Sequence, residues 1–175
     1  MFHFFDKINV CKVIIGHIDT LGYRSDLWIR IRDSLLFYGV PILGGVTYGV
    51  LQYFDFLKGV PSECWNTAVT ITSIFTPLTL TLLTSLYAMK DKLISNKMAV
   101  KLLCEIIYNI CYVILVSLLV LVVSVIIKAL QVEDTLFCSV IFISLFSHLM
   151  LTLLMIIKRF VVLFLEAVDC DMRNK

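Results

Sequence analysis

The segment Ile106–Ile127 reads IIYNICYVILVSLLVLVVSVII, and it decides the class of fold. From Leu115 onward it is apolar on every side except at Ser117 and Ser124. Alternation at every second residue, the pattern of a half-buried strand, is absent. A run of about 20 apolar residues matches the ~30 Å hydrocarbon core of a bilayer. Because a backbone in that core must hydrogen-bond within the protein, the segment is predicted to be a transmembrane helix.

Three further apolar stretches are long enough to span a bilayer. The four predicted spans run approximately from Leu35 to Leu57, from Trp65 to Met89, from Ile106 to Ile127 and from Leu136 to Ile157. The composition agrees, because 60% of the residues are hydrophobic, 16% are charged, and the mean hydropathy is +0.97. A soluble domain is closer to half apolar and a quarter charged. The predicted fold class is an all-α integral membrane protein.

Lys and Arg are distributed unevenly around these spans. Thirteen of the fifteen lie before the first span, between the second and third, or after the fourth, and only Lys58 and Lys128 lie in the other two connections. Short loops rich in Lys and Arg stay in the cytoplasm, so both termini are predicted to be cytoplasmic. The net charge of only +2 gives no reason to expect direct binding to nucleic acid.

The chain then divides into three parts. Residues 1–33 form a cytoplasmic or interfacial segment, residues 34–157 the transmembrane domain, and residues 158–175 a cytoplasmic helical extension. Since the outer connections are short, the first two spans and the last two are each predicted to form an antiparallel hairpin. Membrane lipids are therefore expected partners.

Both terminal segments carry apolar residues at helical spacing. The N-terminal pattern, from Phe4 to Ile18, predicts an amphipathic helix that lies on the inner leaflet, packs against a partner, or covers the cytoplasmic ends of the bundle. After Lys158 the fourth span continues as an apolar helix that either extends into the cytoplasm or bends along the membrane. The candidate residues for binding a partner are Ile15, Phe160, Leu163 and Phe164.

Span one combines small residues with a proline. Gly45 and Gly49 form a small-xxx-small pair, which lets a second helix approach closely. Pro41 lacks an N–H and crowds the carbonyl of Phe37, so a kink is predicted there, with Gly39 beside it. Tight helix packing is the commoner role of such residues, and a hinge that gates a pore is the alternative.

Polar residues inside the spans are the remaining candidates. Span two carries a hydroxyl stripe, which either lines a narrow polar path in an oligomer or bonds to its own helix carbonyls. The candidate pore residues in this stripe are Thr70, Ser73, Thr81 and Thr84. His148 is the one ionisable residue deep in a span, and it is either functional or a neutral His bonded to a hydroxyl. Glu105 and Asn109 are predicted to form a polar cluster at the start of span three, beside Tyr108 and Tyr112.

The sequence offers no chemistry typical of an enzyme. It contains no G-x-S-x-G, no H-E-x-x-H and no Gly-rich phosphate loop, so no catalytic residue, cofactor or metal is expected. Cys64 and Cys138 are both predicted to lie at the outer face, where a disulfide is chemically permitted.

Three stretches carry a resemblance to a known family. They are HIDTL at residues 17–21, the charged approach from Trp28 to Asp33, and FYGVP at residues 37–41, which enters span one. In these stretches and in its four-span layout, the chain resembles the small KwaA-like membrane subunits of the Kiwa anti-phage system of bacteria.

The resemblance implies a non-enzymatic homo-oligomer, for example a tetramer, in the bacterial inner membrane. Such a protein would sense envelope perturbation by an infecting phage and recruit a soluble cytoplasmic partner. The alternative hypothesis is a homo-oligomeric channel or pore-forming effector that depolarises the membrane.

Overall fold

The computed structural model describes residues 10–21, 27–93, 97–132 and 135–173. Within these ranges the chain forms six α-helices and one π-helical turn, at residues Leu35–Gly39. The α-helices are α1 (Val10–Leu21), α2 (Leu27–Ser34), α3 (Val40–Tyr53), α4 (Ser62–Leu93), α5 (Lys97–Leu130) and α6 (Leu136–Arg173). The predicted start of the amphipathic helix, before residue 10, and the side chain of Leu163 lie outside the described residues.

Four helical segments of the described chain are long and apolar enough to cross a membrane. They cover Leu35–Tyr53, Ser62–Ala88, Val100–Leu130 and Leu136–Val162. These segments overlap the four spans predicted from the sequence, so the chain is a four-span membrane protein by the length and composition of its helices.

The first span is continuous with the helix that precedes it. Ser34 directly precedes the π-helical turn and Gly39 is its last residue, and both have right-handed helical dihedral angles. The helix therefore runs unbroken from Leu27 to Tyr53. Pro41 explains why the turn lies here, because it has no N–H to donate to the carbonyl of Phe37 four residues earlier. An extra residue in the turn is a common response of a helix to such an interruption.

The helices pack in the order α3, α6, α5, α4, and α1 lies against α5. The larger core cluster joins α4, α5 and α6 through fully buried residues that include Leu86, Ile110 and Leu149. A smaller cluster around Trp65 and Phe142 fills the end of the bundle where α4 and α6 begin. The predicted hairpin of the first two spans is not confirmed, because in the described part of the chain the main partner of α3 is α6.

Small residues explain the contact between α3 and α6. Gly45 and Gly49 are buried and face Val140 and Ser144 of α6. A methyl group at Gly45 would overlap the Ser144 hydroxyl and lie 2.7 Å from the carbonyl oxygen of Val140. Such a close approach gains dispersion contacts that a bilayer cannot replace. Gly44, the next residue along, faces open space.

The last helix is longer than a bilayer is thick. α6 contains 38 residues and runs without interruption through Lys158 and Arg159 to Arg173. At 1.5 Å per residue it is ~57 Å long, against ~30 Å for a hydrocarbon core. Its final turns therefore lie beyond the span.

We expect Gly45→Ala to destabilise the folded bundle by about 1–3 kcal/mol, because a backbone carbonyl cannot move away as a flexible side chain can. The measurement is unfolding of the purified protein in mixed micelles. Gly44→Ala is the matched control, since its new methyl group meets nothing within 4 Å. Equal unfolding midpoints for the two variants would contradict this account of the helix contact.

Candidate functional site

A buried polar network lies where α1 meets the bundle. His17 is fully buried, Thr20 is nearly so, and both face Asn109 of α5, which is also fully buried. The outer face of α1 is apolar instead, with Ile15 58% exposed and Ile14 and Ile18 partly exposed. This helix therefore directs His17 and Thr20 into the protein and presents Ile14, Ile15 and Ile18 on its outer face.

Two hydrogen bonds converge on the Asn109 side chain. His17 Nδ1 lies 2.8 Å from Asn109 Oδ1, and the Thr20 hydroxyl lies 2.8 Å from the same oxygen. Because a carbonyl oxygen only accepts, Nδ1 of His17 carries the proton and Nε2 carries the lone pair. Neither His17 Nε2 nor Asn109 Nδ2 has a hydrogen-bond partner among the described residues, although both atoms are buried.

Arg159 of α6 holds the end of α1. Its guanidinium donates to the backbone carbonyl of Thr20 over 2.6 Å and pairs with the carboxylate of Glu105 at 3.4 Å. The last carbonyls of a helix have no partner within the helix and carry partial negative charge. Arg159 supplies both a donor and a positive charge to that end of α1.

Tyr112 joins the α1 contact to the interior of the bundle. Its ring stacks on His17, with ring centroids 3.9 Å apart and planes 5° from parallel. Its hydroxyl lies 2.8 Å from Nε2 of His148. One face of this side chain therefore contacts α1, while its tip contacts the fourth span.

His148 connects α6 to the π-helical turn. Its Nδ1 lies 3.2 Å from the carbonyl oxygen of Phe37, and its ring stacks on Tyr38. That carbonyl is the one left without its usual helical donor by Pro41. Since the carbonyl only accepts, Nδ1 of His148 is protonated, and in neutral His148 Nε2 accepts from the hydroxyl of Tyr112.

These contacts form one connection through three helices and the π-helical turn. It runs from α1 through Asn109 and Tyr112 of α5 to His148 of α6 and then to the carbonyl of Phe37. Buried polar networks of this kind have few alternative arrangements, because each broken bond leaves a desolvated polar group. The network therefore fixes the position of α1 to the packing of the spans.

Burial lowers the pKa of His17 from 6.5 to about 4. The hydrogen bond to Asn109 opposes this shift, whereas the nearby positive charge of Arg159 adds to it. Docked α1 therefore keeps His17 neutral at physiological pH.

The hydroxyl stripe of span two lies elsewhere. Thr70, Ser73, Thr81 and Thr84 are all exposed on the outside of the single chain. Thr70, Thr81 and Thr84 donate to carbonyls of α4 itself, at 2.8–2.9 Å.

A second set of hydroxyls on α4 faces α5. Thr72 and Thr79 are buried, and the hydroxyl of Thr76 lies 2.9 Å from that of Ser117. His148 instead contacts α5 and the π-helical turn. The exposed hydroxyl stripe and His148 therefore lie on different surfaces.

The predicted partner-binding residues differ in exposure. Phe160 is half-buried and packs on the larger core cluster, whereas Phe164 is 57% exposed beyond the span. Cys64 and Cys138 are free thiols, the first exposed and the second buried beside Trp65. In the described ranges, no group of three or more His, Cys, Asp or Glu side chains is placed to hold a metal ion.

Sequence reasoning found part of this network. It placed Asn109 and Glu105 in a polar cluster and singled out His148, but it did not assign His17 or Thr20 to them. The available signal was the three-residue spacing of His17 and Thr20, which puts two polar side chains on one face of a helix that is otherwise rich in Ile and Val. No family model matches this chain, and comparison with curated proteins and with solved structures found no match.

We expect α1 to undock as the pH falls from 6.5 towards 4. Free His17 binds a proton below its ordinary pKa of 6.5, while docked His17 does not until about pH 4. Docking is therefore fully stable above pH 6.5, and by linkage it weakens roughly 30-fold between pH 7.5 and pH 5. The measurement is the hydrogen-exchange protection factor of Val10–Leu21.

His17→Phe provides the control, because phenylalanine keeps the ring stacked on Tyr112 but does not titrate. The protection factors of this variant should not change over the same pH range. Comparison with the wild type then separates the titration of His17 from that of every other group. Wild-type protection that does not change between pH 7.5 and pH 5 would contradict the assignment.

Proposed function

We propose that the chain is a non-enzymatic sensor and scaffold subunit of a bacterial anti-phage system. It forms a homo-oligomer in the inner membrane, with both termini in the cytoplasm, and recruits a soluble cytoplasmic partner. One observation carries the proposal: the buried connection from His17 through Tyr112 and His148 to the carbonyl of Phe37. It links a helix outside the membrane to the packing inside it.

The connection suits signal transmission because it has discrete states. A tilt or rotation of α6 against α5 lengthens the bond between Tyr112 and His148, and a buried bond that is lost leaves polar groups unsatisfied at about 1–3 kcal/mol. Interfaces of this type change between alternative packings and do not deform continuously. A disturbance of the bilayer that repacks the spans would thus reach α1.

Two exposed apolar surfaces support the recruitment of a partner. One is the outer face of α1, at Ile14, Ile15 and Ile18, and the other is the end of α6, at Phe164 and Leu165. Apolar surface beyond the lipid is costly in water unless a second protein or another copy covers it. The connections at the opposite end of the bundle are too short to form a separate domain.

The orientation rests on the distribution of cations. Lys101, Lys158 and Arg159 lie at the same end of the bundle as α1, and positively charged ends of membrane helices stay in the cytoplasm. In this proposed orientation, α1 and the end of α6 lie where a soluble cytoplasmic protein can reach them.

The exposed hydroxyl stripe favours a second candidate, a channel formed by several copies. In an oligomer Thr70, Ser73, Thr81 and Thr84 would face a shared axis. Their hydroxyls already bond to their own helix, so they would offer weakly polar walls to a pore.

Native cysteines allow the orientation to be tested. In variants that keep a single cysteine, a membrane-impermeant maleimide should label Cys64 in intact cells, because this exposed residue begins the second span at the outer face. Cys104 is also exposed but lies at the other end, so it should react only after lysis. The opposite labelling pattern would reverse the topology.

We expect Tyr112→Phe to abolish protection against phage in cells that carry the gene with its natural neighbours. The variant keeps the ring that stacks on His17 but loses the hydroxyl bond to His148. The measurement is the efficiency of plating, with membrane insertion checked by the same labelling. Tyr48→Phe is the matched control, since its hydroxyl bonds to the carbonyl of Lys58 at the far end of the bundle.

Conductance of reconstituted liposomes distinguishes the two functions. The scaffold conducts no ions, whereas a channel conducts and loses conductance in Thr81→Leu. Full protection by Tyr112→Phe would refute the proposed transmission, and a conductance that depends on Thr81 would establish the channel.

A further inference from the structure

The first span carries exposed aromatic residues at both of its ends. Trp28 is 84% exposed near the start of the continuous helix Leu27–Tyr53, and Tyr53 is 74% exposed at its end. Two more exposed rings, Phe54 and Phe56, follow in the turn after the helix. Apolar rings that are exposed on the single chain gain free energy when a partner covers them. Tyr53, Phe54 and Phe56 are called the aromatic turn below.

The separation of the two ends matches the thickness of a bilayer. At 1.5 Å per residue, Trp28 and Tyr53 lie ~37 Å apart along the helix. A hydrocarbon core is ~30 Å thick, and a bilayer with its headgroups measures ~40–45 Å. Both ends therefore reach the level where acyl chains meet headgroups, which is where Trp and Tyr are enriched in membrane proteins. The headgroup region of a phospholipid bilayer is the partner that fits both ends at once.

Backbone hydrogen bonds fix the aromatic turn to α3. The N–H of Phe54 donates to the carbonyl of Val50 over 3.1 Å, and the N–H of Phe56 donates to that of Leu51 over 3.0 Å. Asp55, between the two rings, has a φ of 59°, the left-handed conformation in which many helices end. The turn is thus a fixed extension of the helix, and the position of its rings in the membrane sets the position of α3.

The protein itself covers little of the first span. In its most apolar stretch 17% of the residues are buried, against 44% in the third span and 33% in the fourth. The second span is as little buried, but it contributes no residue to the connection that leads to α1. A span that contacts mainly lipid can tilt when the bilayer becomes thinner or thicker, because few contacts with other helices oppose the motion.

The π-helical turn lies between the two aromatic ends. It holds the carbonyl of Phe37, which accepts from Nδ1 of His148 over 3.2 Å. The other two hydrogen bonds of the connection, from His17 to Asn109 and from Tyr112 to His148, both measure 2.8 Å. A tilt of the first span against α6 moves this carbonyl relative to His148 and acts on the longest of the three bonds.

We propose that Trp28 and the aromatic turn bind the headgroup regions of the two leaflets, so that α1 docks only in a bilayer whose hydrophobic thickness matches their separation. In a thinner bilayer the first span tilts, the bond between His148 and Phe37 breaks, and α1 is released. The role of thickness as a stimulus rests on the proposed sensor function, whereas the binding of the aromatic ends to the bilayer does not.

The test uses the purified full chain in vesicles of phosphatidylcholine whose monounsaturated acyl chains differ in length. Lengths of about 14, 18 and 22 carbons change the thickness of the core and leave the headgroup unchanged. The measurement is the hydrogen-exchange protection factor of Val10–Leu21. We expect the highest protection at the intermediate length and roughly fivefold lower protection in the thinnest bilayer, because mismatch carries a modest cost for each ångström.

Single substitutions identify the residues responsible. Trp28→Leu and Phe56→Leu each remove one interfacial ring and keep an apolar side chain, so the effect of thickness should shrink to roughly twofold or less. Phe56→Trp keeps an interfacial ring and should retain the wild-type response. Phe137→Leu is the matched control, because Phe137 is 71% exposed at the start of α6 and lies outside the first span.

Two results would overturn the proposal: equal α1 protection in the three bilayers, or an equal loss of response in Phe137→Leu and Phe56→Leu. Neither result refutes the sensor function, which the plating of Tyr112→Phe tests separately. Full phage protection by Tyr112→Phe would refute that function and leave the effect of thickness on α1 intact.

A second measurement decides if the leucine variants insert poorly. Trp28 is exposed and Trp65 is fully buried, so quenchers outside the wild-type protein act mainly on Trp28. Lipids brominated near the headgroup should quench its fluorescence more strongly than lipids brominated near the chain end. Stronger quenching by acrylamide in water than by either lipid would place Trp28 outside the bilayer and contradict the proposal.

Discussion

Every backbone polar group inside a bilayer needs a partner within the protein, and Pro41 cannot donate to the carbonyl of Phe37. His148 from the fourth span donates to that carbonyl. This bond fixes the tautomer of the imidazole, which makes its other nitrogen an acceptor for Tyr112. The ring of Tyr112 is then held where His17 stacks on it. A missing N–H in the first span is thus connected, contact by contact, to the position of α1, which is not one of the four candidate spans.

The helix α1 depends on this arrangement. A helix of the 12 residues described for α1 is marginal in water when it is isolated. Its buried face provides hydrogen bonds through His17 and Thr20 and little apolar contact, apart from Val13 against the larger core cluster. Separation from α5 would therefore also loosen its helical structure. A released α1 would therefore differ from the docked helix in order as well as in position.

The sequence was sufficient to predict the four spans because apolar composition and length decide membrane insertion, as the run from Leu115 to Ile127 illustrates. It did not reveal which spans touch. A short connection suggested that spans one and two pair, but the fit of Gly45 and Gly49 against Val140 depends on shape, which periodicity does not encode. The network was only half visible for a different reason. Asn109 and His148 are conspicuous within long apolar spans, whereas His17 and Thr20 lie in an amphipathic helix, where polar residues are ordinary.

The packing of α3 on α6 has a consequence for biogenesis. The ribosome delivers α3 to the membrane first and α6 last, so the glycine face of α3 stays covered only by lipid until translation is nearly complete. Insertion and assembly are therefore separate stages, as in the general two-stage description of helical membrane proteins. A chain that stops before α6 would leave α3 without its partner. Quality-control proteases would then encounter an unassembled span. Completion of the last helix closes the bundle.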